Sequence, residues 1–361
     1  MIKFIHTGDL HLGLRFKNVS FGQEKAIERR RELWSTFERI VNYAKDNEVD
    51  FLLIAGDLFE ESYFTISDIT RVRDTFRTIE DINIIISAGN HDFKGKNSLY
   101  NRVEWTKNVT IFNNQEIQRK EFENLNTVIY GYSWDSVEIR ENKLFSTLGK
   151  VDDTKNNILV IHGDIFNNSN YLPLNIQELK NLNMDYIALG HIHKPQIIFD
   201  NIAYCGCPEP LDFGELGERG IIEGSIDNKK LGFEFIPFSK RKFLEVEIKI
   251  NQYMGYPDII NNIRNISVGN REIDFFRINL SGFIQRNIKI EDLNGDLKDN
   301  FYHIELIDNT ILDYDFEQIE RENKDNIICR FIISMKEKGL DNPIVKNALY
   351  YGLELLLEER E

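Results

Sequence analysis

The stretch IKFIHTGDLH, residues 2–11, sets an apolar run against a polar turn that carries an aspartate and two histidines. The same construction returns along the first 210 residues. FLLIA (51–55) leads into GDLF (56–59), INIIISA (82–88) into GNHD (89–92), ILVI (158–161) into HGD (162–164), and YIAL (186–189) into GHIH (190–193). TVIYGY (127–132) and IAYC (202–205) are runs of the same kind. They are short and rich in Ile, Val and Leu, as strands buried on both faces are. Between the first two lies ERRRELWSTFERIVNYAKDNEVD, with Leu33, Phe37, Ile40, Val41 and Ala44 at helical spacing. A second helix is predicted from near Ser67, read as its N-cap, with Ile69, Val72, Phe76 and Ile79 on one face. Strands alternating with helices predict an α/β layer architecture.

Past residue 220 the pattern changes. GIIEGSI, GFEFIPF, FLEVEIKI and FFRINLSG read as strands with partial alternation, and SKRKF (239–243) reads as a linker. A smaller α+β domain follows. Ile327, Ile328, Phe331, Ile332 and Met335 then fit a helix face, and Asn342–Pro343 opens a last helix with Val345, Leu349, Leu353 and Leu356. The expected division is 1–240, 241–325 and 326–361. Glu354, Glu358 and Glu359 lie partly opposite that face, and Ile344, Ala348, Tyr351 and Leu355 are additional apolar positions that widen the apolar surface of the last helix.

The chain has 361 residues, 42% of them hydrophobic and 29% charged, which is the composition of a globular protein. The apolar runs are far too short to span a bilayer, and Asp9 interrupts the start before an export signal forms, so no membrane partner is expected. Three cysteines cannot build a disulfide framework, which points to a reducing cytoplasm. The net charge of −15 argues against a nucleic-acid partner at first sight. The acid excess, however, is concentrated past residue 243, so composition neither supports nor excludes DNA.

Six of the seven histidines, His6, His11, His91, His162, His191 and His193, lie at or just beyond the ends of these runs. In open α/β sheets sites form outside the carboxyl ends of the strands. Imidazole and carboxylate without thiolate suit borderline divalent cations such as manganese, iron or zinc. Asp9 and His11 are two residues apart, as are His191 and His193, a spacing that puts each pair on one side of an extended backbone. Asp57 is the best candidate for a carboxylate shared by two metals, with Gly56 and Gly89 letting the backbone turn sharply around it. His6 is out of phase with Asp9 and His11 and reads as packing or support. Cys205 and Cys207 read as strand-end packing.

At these residues the chain resembles the calcineurin-like metallophosphoesterases: GDLH (8–11), GDLF, GNHD, HGD and GHIH recur in that order. HTGDLHLG and PEPLDFGELGERG (208–220) resemble the SbcD-type DNA repair nucleases, in their YhaO-like branch. The resemblance implies an α/β metallophosphoesterase sandwich with a small α+β capping domain and C-terminal helices. It implies that Asp9, His11, Asp57 and His193 hold one metal and that Asp57, Asn90, His162 and His191 hold the other, with manganese as activator. His91 would act on the scissile phosphate, with Asp92 holding its orientation. The implied reaction is manganese-dependent hydrolysis of DNA in end processing and repair. The implied partners are DNA, a second copy of the chain, and an SMC-like coiled-coil ATPase of the SbcC or YhaN type.

Glu60 stands where archaeal and eukaryotic relatives tend to carry a histidine, and YCGCPEP stands where YPGSPEP is usual. Lys94, Lys96 and Arg15 are the DNA-contact candidates. Arg29–Arg31 could touch phosphates or form a solvated helix face. Dimerisation is expected through the Ser67–Glu80 helix or the 97–107 segment. The alternatives are a phosphodiesterase for cyclic nucleotides or other small phosphoesters, and a mainly structural subunit that recruits an ATPase to DNA.

Overall fold

The computed structural model describes residues 1–361 except 18–20, 114–115, 143, 150, 167–168, 286 and 359–361, so Glu359 lies outside the described residues. It divides into two compact units, Met1–Lys242 and Phe243–Glu361.

In chain order the first unit runs β1 (Ile2–Thr7), α1 (Gln23–Asp46), β2 (Phe51–Ile54), α2 (Ile66–Arg77), β3 (Asn83–Ile86), β4 (Val109–Ile111), β5 (Gln118–Phe122) and β6 (Thr127–Tyr132). It continues β7 (Asn156–His162), α3 (Ile176–Lys180), β8 (Tyr186–Gly190), β9 (Gln196–Phe199), β10 (Ile202–Tyr204), β11 (Gly220–Asp227) and β12 (Lys230–Pro237). Among the described residues the strands form two six-stranded sheets, ordered β12-β11-β1-β2-β3-β4 and β5-β6-β7-β8-β10-β9. Phe4, Phe51, Leu53 and Ile85 of the first sheet and Ile129, Ile158, Val160, Tyr186 and Ala188 of the second share one apolar core, which makes the pair an α/β sandwich. Alternation explains why the runs are apolar throughout. In β7, Ile158 and Val160 enter the inter-sheet core while Leu159 and Ile161 enter a second core on the other face.

All seven apolar runs quoted above are strands. The strands that pattern reading passes over, β4, β5 and β9, are edge strands, and two of them, QRKEF and QIIF, carry exposed positions. The N-cap of α2 is Thr65 rather than Ser67. Its hydroxyl accepts the Asp68 N–H at 3.2 Å while the Asp68 carboxylate accepts the Thr65 N–H at 2.9 Å, a reciprocal pair that satisfies two donors.

The second unit runs β13 (Phe243–Ile250), α4 (Tyr256–Arg264), β14 (Phe275–Ile284), α5 (Ile290–Leu297), β15 (His303–Leu312), α6 (Phe316–Glu322), α7 (Ile327–Glu337) and α8 (Pro343–Glu358). Its three strands are parallel in the order β13-β14-β15, joined through α4 and α5. A separate cluster ties Ile328, Ile332 and Met335 of α7 to Leu349, Tyr350 and Leu353 of α8. Ile344, Tyr351 and Leu355 are 78%, 56% and 67% exposed on the opposite side of α8.

Candidate metal centre

Parallel pairing of β1, β2 and β3 in one sheet, and of β6, β7 and β8 in the other, brings the carboxyl ends of each set to a common edge. The polar turns leave from there. Asp9, His11, Asp57 and His191 all take positive φ, at 49°, 46°, 51° and 101°. Side chains two apart therefore converge through left-handed turns rather than extended backbone, which corrects the spacing argument for Asp9 and His11. The turns are laced together: the Asp9 N–H donates to the Gly56 carbonyl and the His11 N–H to the Asp57 carbonyl, both at 3.0 Å. Gly56 sits at φ +90°, and a Cβ there would fall 2.3 Å from His162 Nδ1. A Cβ on Gly89 would fall 2.3 Å from Asp57 Oδ1. Both glycines are demanded by close approach.

The convergent atoms form two overlapping groups, Asp9–His11–His193 and Asp9–Asp57–His162, each with its ligand atoms within 4.8 Å of one another. A third group joins His11, Asp57 and His91. His11 Nδ1 pairs with Glu60 at 2.7 Å and His193 Nδ1 pairs with Glu215, so the two Nε2 atoms face each other at 3.1 Å. His162 Nδ1 donates to the Ala55 carbonyl at 2.9 Å, which leaves its Nε2 lone pair 3.0 Å from the Asn90 oxygen and 3.4 Å from Asp57. In both places acceptor meets acceptor, which is unfavourable without a proton or cation between them. Carboxylates on the remote ring nitrogens fix the tautomers as metal-bound histidines require. The donor set therefore fits one or two divalent cations, and oxygen and nitrogen ligands without thiolate suit a borderline metal.

The electrostatics are those of an enclosed charged cluster. Burial pushes the Asp9 carboxyl up against the pull of His193 and His162. Burial also opposes ionisation of Asp57, but the charges of His162, His11 and His91 outweigh it and hold the group down at about 2. Burial lowers His191 to about 3. His91 and His193 are each raised to about 9: the bonds to Glu60 and Glu215 overcome the penalty of burial.

Each residue singled out from the sequence has a definite place. Asp9, His11, Asp57, Asn90, His162 and His193 come together. His191 packs edge-on to His162, with ring centres 5.1 Å apart, and its N–H donates to Asp9 at 3.1 Å. His6 contacts the Tyr186 hydroxyl at 2.9 Å inside the core. Asp92 does not orient His91. It is buried, and it accepts the N–H groups of Leu58 and Gly89 and the Tyr100 hydroxyl at 2.9, 2.6 and 2.6 Å, so it ties the β2 and β3 turns together. The partner of His91 is Glu60, at 3.0 Å. Glu60 thus bridges His11 and His91. Glu215 lies within PEPLDFGELGERG but nothing local distinguishes it there, because its partner His193 is 22 residues upstream.

Lys94 is half-buried and donates to Asn113 at 2.8 Å. Lys96 and Arg15 are exposed, and Arg15 lies 4.8 Å over the Tyr63 ring. Arg29 is neither solvated nor free for phosphate: it is fully buried and paired with Glu32 and Glu209. In the 97–107 segment, Tyr100 is buried while Leu99, Val103 and Trp105 are half-buried. Among the described residues no helix is long and apolar enough to cross a membrane.

The family model for calcineurin-like phosphoesterase matches residues 2–195, the span that carries this whole cluster apart from Glu215. The chain is 28% identical over 246 residues to the uncharacterized metallophosphoesterase YhaO of Bacillus subtilis, covering 65% of this chain and 60% of that one. It is 28% identical over 277 residues to the SbcD component of the nuclease SbcCD of Staphylococcus saprophyticus, covering 68% and 71%. It is 24% identical over 275 residues to the DNA double-strand break repair protein Mre11 of Methanopyrus kandleri, covering 68% and 56%. The chain spans less than two thirds of the length of YhaO and of the Methanopyrus protein. With the sandwich, the strand-end cluster and a family match over more than half its length, this chain belongs to the calcineurin-like phosphoesterase family.

Proposed function

We propose that the chain is a two-metal phosphodiesterase that cleaves DNA. The observation that carries the chemistry is the meeting of Asp9, His11 and His193, and of Asp9, Asp57 and His162, in two groups that share Asp9, the ligand atoms of each lying within 4.8 Å of one another. In this reading Asp9, His11, Asp57 and His193 hold one cation, and Asp57, Asn90, His162 and His191 hold the other, with manganese as the native metal. Bound there, two such cations would polarise the phosphoryl oxygens and lower the pKa of an attacking water. Glu60 and Glu215 keep His11 and His193 in the tautomer with Nε2 free. His91, 43% exposed at the cluster's edge with Nδ1 held by Glu60, has its other ring nitrogen available for the leaving oxygen of the substrate. Asp92 preserves the loop geometry beneath it.

DNA as substrate rests on the relatives: one is named as part of a nuclease and another as a DNA double-strand break repair protein. On the resemblance carried by the sequence motifs we also propose a second copy of the chain and an SMC-like ATPase as partners and a role for 241–325 in admitting DNA ends, and on the cysteine count a cytoplasmic location. The exposed Ile344, Tyr351 and Leu355 of α8 are the surface we assign to the ATPase. The test is hydrolysis of single-stranded, duplex and hairpin DNA with manganese, magnesium or EDTA, beside a cyclic dinucleotide. Manganese-dependent cleavage of DNA with the cyclic dinucleotide left intact is expected. The reverse preference would assign the site to small phosphoesters.

A further inference from the structure

Beside the proposed hydrolytic centre, and sharing His193 with it, Cys207, Glu215 and His193 form a further group whose ligand atoms lie within 4.8 Å of one another. One Glu215 oxygen pairs with His193 Nδ1, and the other lies 3.2 Å from Cys207 Sγ. Glu215 is held in place by the Leu211 N–H at 2.7 Å. Cys207 is fully buried, while the side chains of His193 and Glu215 keep 25% and 15% exposure, so access from solvent runs over those two residues. Thiolate, imidazole and carboxylate together favour a soft or borderline cation such as zinc or cadmium over manganese or magnesium.

We propose that Cys207, Glu215 and Nδ1 of His193 constitute a thiol-containing cation site that takes zinc or cadmium and shuts off the adjacent centre. Binding there displaces the thiol proton to solvent, as thiolate ligation does in general. It also displaces the Nδ1 proton of His193, and the ring stays neutral by taking a proton up on Nε2 in its place. That nitrogen faces His11 Nε2 at 3.1 Å and Asp9 at 3.9 Å, and once protonated it has no lone pair to offer the hydrolytic cation. One imidazole therefore serves one site or the other. The binding half of this inference is independent of the assigned activity; the inhibitory half rests on it.

The experiment uses the full chain with Cys329→Ser, which removes the partly exposed thiol of α7. Cadmium is added to the manganese-loaded protein, and the ultraviolet thiolate-to-cadmium charge-transfer band is followed. One cadmium per chain with a thiolate band is expected, with the band lost in Cys207→Ser and the affinity reduced about tenfold or more in Glu215→Gln. No band in the Cys329→Ser protein, or a band that survives Cys207→Ser, overturns the site. In parallel, zinc should inhibit phosphodiester hydrolysis by the Cys329→Ser protein at concentrations at least about tenfold below those needed after the further Cys207→Ser change. Equal zinc inhibition of both proteins overturns the regulatory role while leaving the band to judge the site. A protein that shows the band but no hydrolysis refutes the assigned activity and not the site.

Discussion

Replacing Glu60 tests how the cluster is organised, because one carboxylate serves two histidines with different duties. Its oxygens pair with His11 Nδ1 at 2.7 Å and His91 Nδ1 at 3.0 Å, and those bonds, opposing its burial, hold the group down at about 2. Glutamine keeps one acceptor and puts a donor in place of the other, so Glu60→Gln can satisfy only one imidazole N–H; Glu60→Ala satisfies neither. A hydrogen bond to a charged group is worth about 1.5–3 kcal/mol. At about 1.4 kcal/mol per decade, one lost bond corresponds to roughly 10- to 150-fold. The cost should divide by branch. Loss at His11 weakens manganese binding, read by calorimetry. Loss at His91 lowers kcat on bis(p-nitrophenyl) phosphate at saturating manganese. Glu60→Gln should show one defect predominantly, and Glu60→Ala should show both. If Glu60→Gln stays within twofold of the parent in manganese affinity and in kcat, the shared-carboxylate reasoning is refuted.

The other expectations concern single positions. Asp57→Ala should lower the content of both cations, since Asp57 is grouped with His11 and also with Asp9 and His162; metal analysis still finding two per chain would remove it from a bridging role. His91→Gln should keep its cations while hydrolysis slows about 100- to 10,000-fold, as measured under single turnover. Gly89→Ala should weaken manganese binding in a folded protein, because its Cβ would lie 2.3 Å from Asp57 Oδ1; calorimetry beside circular dichroism checks this. Glu32→Gln should destabilise the first unit by on the order of 3 kcal/mol at neutral pH, through the buried Arg29 and Arg241 it leaves under-compensated. Burial opposes ionisation of Glu32, but Arg29, Lys240 and Arg241 outweigh it and lower its pKa. That stabilisation is present above the ordinary carboxylate range and disappears as pH falls through the lowered value, so urea unfolding curves of parent and variant should converge in acid.

The local elements are legible in the sequence. Seven apolar runs form strands, and the polar turns that follow five of them form the cluster, because strand burial and turn chemistry are written over a few adjacent residues. The Asn342 N-cap before Pro343 is legible for the same reason. Tertiary structure alone decided what depends on distant pairing. The seven runs look alike, yet they divide between two sheets, and only facing those sheets fills the core between Phe51 and Tyr186. Edge strands such as QRKEF lack a second buried face and so lack the apolar signal. Arg29 reads as a surface charge because its partner Glu209 lies 180 residues away. Asp92, placed next to His91 by the chain, is bound instead to the β2 turn, while Glu60, 31 residues earlier, holds the imidazole. Residue types announced a metal centre; which carboxylate steadies which histidine was settled by how the strand ends meet.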